Sequence, residues 1–292
     1  MGLKDWLLRS GRNSGSADIA GCYADIQRWE DIYNGGGDWR YARRGGIQGG
    51  TRKLASLGAA RALCGELARL CFTEGTSMCY SDSDTESFVN RVLTESRFSE
   101  RFPVFLEKVF ALGGGVIKVY YDDSAPDGVS GVRVDLVTAD CFLPTAWNSR
   151  EITGGAFASR IVSGGRNYIL AESQELSGDQ LTIENRLFRE DGGKADMSSV
   201  LPGLSGQSSV KGLTAPLFVY LSAGSRRAAS SGECPLLGSS VFDGAEDTLK
   251  SIDIVFDSLS REFVLGKKRI IVPAYAVRGA VSYTHLRAHE TS

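Results

Sequence analysis

The chain has 292 residues, 42% of them hydrophobic and 23% charged, with 35 glycines and a formal net charge of −2. That balance belongs to globular proteins and argues against a disordered or fibrous chain, while the near-neutral charge argues against a tight, sequence-tolerant DNA clamp. No run of about 18 apolar residues occurs, so no transmembrane helix is expected, and the opening residues 1–13 have neither the apolar core nor the cleavage site of a signal peptide. A soluble, intracellularly made protein of about two domains is the expectation.

The first half reads as helical. Ser16 and Asp18 are N-cap candidates for a helix carrying Ile26, Trp29, Ile32 and Tyr33, stopped by Gly35, Gly36 and Gly37. A glycine-rich, arginine-containing loop from Trp39 to Gly50 leads into a helix expected from Thr51 to Glu74. Its Leu54, Leu57, Leu63, Leu67, Leu70 and Cys71 form a stripe at helical spacing, the face expected to be buried. Asp84, Thr85 and Glu86 open a short helix, and another around Phe105 to Leu112 runs into Gly113, Gly114 and Gly115.

The period then changes. Strands are expected at Gly115–Tyr121, Val132–Val137, Ala156–Val162, Tyr168–Ala171 and Leu181–Arg189, with turn chemistry between them. The gaps are too short for crossover helices, which predicts an antiparallel meander. A polar stretch from Asp191 to Gly212 reads as loop, followed by a short strand at Leu217–Leu221. From Phe242 to Phe263 the apolar positions Phe242, Ala245, Leu249, Ile252, Phe256, Leu259 and Phe263 alternate steps of three and four, which predicts one long helix. Its other side carries Asp243, Glu246, Asp247, Lys250, Asp253 and Asp257. Gly266 closes it, and the basic run Lys267, Lys268, Arg269 follows.

Chemistry-bearing motifs are few. The six cysteines form no CxxC pair and read as reduced core thiols. Gly113–Gly115 precedes a strand, so it is a helix-to-strand joint and not a phosphate loop. Asp82, Ser83, Asp84 and Glu86 read as a helix cap, not a calcium loop, and Asp122 with Asp123 as a solvated turn. Trp29, Trp39 and Trp147 read as core or interface aromatics. Both histidines, His285 and His289, sit with Glu290 in residues 281–292, where HxxxH spacing would suit a metal. That peptide, however, resembles one reading frame of a transposon adaptor used in sequencing libraries, which would place it outside the native chain. Without it the chain has no histidine and no catalytic constellation, so neither an enzyme nor a cofactor is expected.

The order of these stretches resembles the portal proteins of tailed bacteriophages, of the siphophage type common in Gram-positive hosts. The resemblance rests on Ile26–Gly35, Ala62–Glu74, Leu106–Tyr121, Asp140–Asn148 with Glu151 and Ile152, Ile183–Phe188 and Gly266–Pro273. It implies an α+β fold with a helical N-terminal part, an antiparallel meander and then a stem helix. Residues 1–240 would be the wing, 241–265 the first stem helix, 266–280 the start of the clip and 281–292 a non-native tail, with the family's remaining C-terminal part missing.

The implied function is structural: a subunit of the dodecameric ring at one capsid vertex, assembled in the host cytoplasm and located in the virion. DNA would pass through during packaging and ejection without sequence-specific binding. The implied partners are further copies of the chain, the terminase large subunit, head-completion or adaptor proteins, and capsid and scaffolding proteins, with no membrane. On this plan Leu249, Ile252, Phe256, Leu259 and Phe263 would pack between subunits. Asp243, Glu246, Asp247, Lys250, Asp253 and Asp257 would face the channel, and Lys267, Lys268 and Arg269 would meet the terminase. The competing readings are a different virion or scaffold component that forms no closed ring, and a metal-dependent hydrolase built on the tail.

Overall fold

The computed structural model of the chain describes residues 19–43, 51–73, 76–122, 131–224 and 237–266. The expected caps Ser16 and Asp18, the turn residue Asp123, Cys234, the basic run Lys267–Arg269 and the whole histidine-bearing tail lie outside the described residues.

Four helices come first: α1 (Ile19–Tyr33), α2 (Ala59–Cys71), α3 (Ser83–Glu95) and α4 (Phe98–Leu112). Between α1 and α2, β1 (Tyr41–Arg43) and β2 (Thr51–Lys53) pair as a two-stranded ribbon. The helix expected from Thr51 therefore begins eight residues later, after Gly58, whose φ of 70° marks the break. Asp82 caps α3 by accepting from the Thr85 N–H at 2.7 Å, as expected of a cap.

The sheets follow. β3 (Gly114–Tyr121) is the centre of a three-stranded antiparallel sheet between β4 (Val132–Thr138) and β10 (Phe218–Ser222). β5 (Phe142–Trp147), β6 (Ile152–Ser163), β7 (Arg166–Ser177), β8 (Gln180–Arg189) and β9 (Gln207–Lys211) form a five-stranded antiparallel meander in chain order. β9 departs from the expected loop as a wholly exposed strand of Gln, Ser and Lys around a single valine, and β5, which contains Pro144, is not among the expected strands. A single turn, α5 (Met197–Val200), precedes β9. The last described element is α6 (Glu246–Gly266), which starts four residues after Phe242 because Val241–Gly244 forms a turn in which Gly244 has φ 79°.

One core unites these layers. Ile26, Trp29 and Ile32 of α1 pack with Ala60 and Cys64 of α2, Leu112 of α4, Leu143 of β5, Ala156 and Ala158 of β6, and Ile169 and Ala171 of β7. Phe242, assigned from the sequence to the stem, is buried in this same core. A second cluster joins the two sheets through Phe142, Phe157 and Phe218, whose rings lie 5.3 to 5.8 Å apart in tilted and edge-on pairs. Lys118 of β3 reaches across to Glu172 of β7 at 2.8 Å, with its ammonium 5.0 Å from the Phe157 ring centre.

α2 reverses the expected orientation of its stripe. The buried residues are Ala60, Cys64 and Ala68, while Leu57, Leu63 and Leu70 are exposed. α2 packs against α4 with these small residues inward: a Cβ added at Gly65 would make ordinary contact with the Glu107 carboxyl at 3.9 Å. The leucines are thus left outside. Cys71 and Cys79 are also exposed, unlike the buried Cys22 and Cys64, so two of the expected core thiols are surface groups.

At the α1–α2–α4 junction the Tyr33 hydroxyl donates to Glu107, and the Lys108 ammonium lies 4.2 Å from the ring centre. Burial, then the Glu107 contact, pushes the Tyr33 phenol up to about 12, and burial pushes the Cys64 thiol up to about 12. Both groups hold protons in the folded state that the unfolded chain releases at its ordinary values. Stability contributed by these two groups is therefore intact at neutral pH and declines as pH rises from about 9 towards 12. Urea midpoints across that range should fall, and the Cys64→Ser variant should show a shallower fall.

Candidate functional site

With no catalytic cluster in view, the helix singled out by its heptads is the place to look. α6 projects two carboxylates from one side at i and i+4 spacing, Asp253 and Asp257, and both are buried, at 6% and 4% exposure. Asp257 accepts from both terminal nitrogens of Arg52, at 2.7 and 2.5 Å, and from the Ala55 N–H at 2.8 Å. Asp253 accepts from the Ser56 hydroxyl at 2.8 Å, the Leu57 N–H at 3.1 Å and the Trp39 indole N–H at 3.1 Å. The buried Arg40 guanidinium lies 3.7 Å from the Asp253 carboxylate and donates through Nε to the Gly35 carbonyl.

The electrostatics follow from the partners. The Arg52 fork and the Ala55 amide hold the Asp257 carboxyl far below the usual carboxylate range, and the Arg52 guanidinium is held more basic in return. Each aspartate takes its hydrogen bonds from residues 39–57, which is why two acids can be buried against the body. Further back, Glu246 and Asp243 share Arg28 of α1, at 3.3 and 3.7 Å.

These positions correct part of the sequence reading. Asp253 and Asp257 do not face a channel; they face the chain's own body. Leu249 packs against the central core together with Ala245, so it is not free for a neighbouring subunit. Ile252 and Phe256 are half-buried. Asp243, Asp247 and Lys250 remain on the exposed side. Nothing in residues 242–263 alone could show this, because the partners lie about 200 positions earlier.

Beside these polar residues α6 exposes a set of large apolar side chains. Val255, Leu259, Phe263 and Val264 are 66%, 55%, 66% and 66% exposed, with Ile254 beside them. The sequence reading counted Leu259 and Phe263 for inter-subunit packing but missed Ile254, Val255 and Val264, which fall off the heptad. On α2, Leu63 and Leu70, seven residues apart and so on one face, are exposed as well, as is Leu57 just before the helix. Apolar side chains grouped along a helix flank are the kind of surface that protein contacts use.

Among the described residues a cleft of about 210 Å³ lies between Arg150–Ile152 and β10, lined also by Ala215 and Pro216, and its titratable side chains are Arg150, Glu151 and Tyr220. Among the described residues no group of three or more His, Cys, Asp or Glu side chains is placed to hold a metal, and no helix is long and apolar enough to cross a membrane. No protein-family model matches the chain, and no curated protein matches it significantly.

Proposed function

We propose that the chain is a subunit of a portal ring of a tailed bacteriophage, forming the channel at a capsid vertex through which DNA is packaged and ejected and docking terminase and head-completion proteins. The observation that carries this reading is α6: a helix pinned on one side by buried carboxylates, with Val255, Leu259 and Phe263 left exposed on another. A helix held this firmly with an apolar flank in water is built for a protein neighbour. The leucine stripe of α2 supplies a second, different apolar face, and two unlike faces on one chain suit head-to-tail association, which gives a closed ring when the rotation closes.

The resemblance of residues 26–273 to the portal family supplies the identity of the ring, and the antiparallel α+β body is compatible with it. Within this reading Asp247 and Lys250 of α6, with Asp243 in the turn before it, remain the channel-facing residues, and Lys267, Lys268 and Arg269 the terminase-facing ones. The virion is the location, with assembly in the host cytoplasm.

The test is negative-stain electron microscopy with native mass spectrometry of the natural gene product that contains this chain. Closed rings of one defined stoichiometry with an axial hole are the expected result. A monomer, or open assemblies without a closed ring, would overturn the portal and favour another virion or scaffold component.

A further inference from the structure

We infer that α6 is a hinged arm latched to the body by Asp253 and Asp257, and that this latch sets the angle between the two apolar faces through which copies of the chain associate. The second half rests on the assembly proposed above; the first stands on geometry alone.

The hinge is the turn Val241–Gly244. On its body side Phe242 is buried and the Val241 N–H donates to the Phe110 carbonyl at 3.0 Å. On its outer side Gly244, at φ 79°, has nothing within 4 Å of the place a Cβ would take. Ala245 and Leu249 then touch the core. Beyond Leu249, among the described residues, the hydrogen bonds and ion pairs that join α6 to the body end on Asp253 and Asp257.

The chemistry of that seam matters. An apolar seam opens only by exposing hydrocarbon to water. The carboxylate seam holds through charge-assisted hydrogen bonds, the strong class, and both acceptors sit on one face of the arm. Removing the two carboxylates therefore releases the outer part of α6 without opening an apolar contact. The seam is also placed to report on assembly. The Ser56 hydroxyl and Leu57 amide that donate to Asp253 lie immediately before Gly58 and the start of α2, the helix on which Leu63 and Leu70 are exposed. These hydrogen bonds thus tie α6 to the N-terminal end of α2. In head-to-tail association the angle between the two faces fixes the rotation per subunit, and so decides whether a ring closes.

The double variant Asp253→Ala/Asp257→Ala tests this in the natural gene product. Amide hydrogen exchange on dilute, unassembled protein should show residues 252–264 exchanging at least about ten-fold faster than in the parent, with α4 and β6–β8 unchanged. At assembling concentrations, microscopy should show open arcs or rings of mixed size. Unchanged exchange in α6 would overturn the latch. Faster exchange throughout the body would also overturn it, by showing that the carboxylates hold the fold and not the arm. A loosened α6 with rings of parental geometry would overturn the link to the angle. If the parent itself forms no rings, the assembly reading fails, while the exchange measurement still decides the latch.

Discussion

Serine at both Leu259 and Phe263 is expected to leave the fold untouched and to abolish assembly. Both side chains already stand largely in water, 55% and 66% exposed, so the unassembled chain loses little buried contact when they are removed. Surface changes of this kind stay within about 0.5 kcal/mol, and the thermal midpoint of the unassembled protein should be unchanged. An interface that buries them loses far more, about 1.5–3 kcal/mol for each side chain, which together weaken association a hundred-fold or more. Sedimentation velocity over a concentration series should show the variant as a monomer where the parent is assembled. The pair Leu63→Ser/Leu70→Ser on α2 should act in the same direction, because head-to-tail contact needs both faces. If the α6 variant assembles like its parent, the outer flank of α6 is not an interface.

The buried carboxylates change how charge substitutions on α6 must be interpreted. Lysine at Asp253 or Asp257 would place a buried cation beside Arg40 or Arg52, so any loss of DNA packaging would report a broken fold contact and not a change in channel charge. Substitutions at Asp243, Asp247 or Lys250, which are exposed, carry the channel question cleanly.

What could be seen in the sequence divides along physical lines. Regular periodicity was informative about element type: the meander β6–β8, the strand β3, the Asp82 cap and the length of α6 are all legible, since each depends on spacing or on a cap within a few residues. Periodicity was misleading about which face is buried. The leucines of α2 form the more hydrophobic stripe, yet Ala60, Cys64 and Ala68 face the core, because close approach to α4 rewards small side chains over large ones. The same failure recurs in α6, where a helical wheel places Asp253 and Asp257 with the solvated acids. Only the fold brings Trp39, Arg52, Ala55, Ser56 and Leu57 to them. Short elements were the other blind spot: three-residue strands such as β1 and β2 carry too few positions for a period, and their pairing is set by the ribbon they close.

Alanine at Gly238 is expected to be among the most damaging single changes to the fold. The sequence offers no hint of it, since the preceding described residue is Leu237 and nothing nearby reads as a motif. In the structure three segments meet there. A Cβ on Gly238 would lie 2.3 Å from the Gly113 carbonyl oxygen and 2.3 Å from that of Ala223. Neither oxygen can swing aside like a side chain. Gly113 ends α4 in a left-handed turn with φ 85°, and its carbonyl accepts the Ala223 N–H at 3.0 Å, tying the end of β10 to the end of α4. A methyl group at this crossing must part the two chains or break that bond, and overpacking of this kind costs about 3 kcal/mol or more. Gly178 is the contrast: its φ of 64° strains a side chain, as the backbone of Gly238 does not, but nothing lies within 4 Å of its Cβ position, so alanine there costs only about 1–2 kcal/mol of backbone strain. Urea denaturation of the two variants should therefore separate clearly, with Gly238→Ala losing most or all of its folded baseline. Equal midpoints would show that the junction can spread, and that the Val241–Gly244 hinge which follows it is seated on a looser foundation than the packing of Gly113 against Gly238 implies.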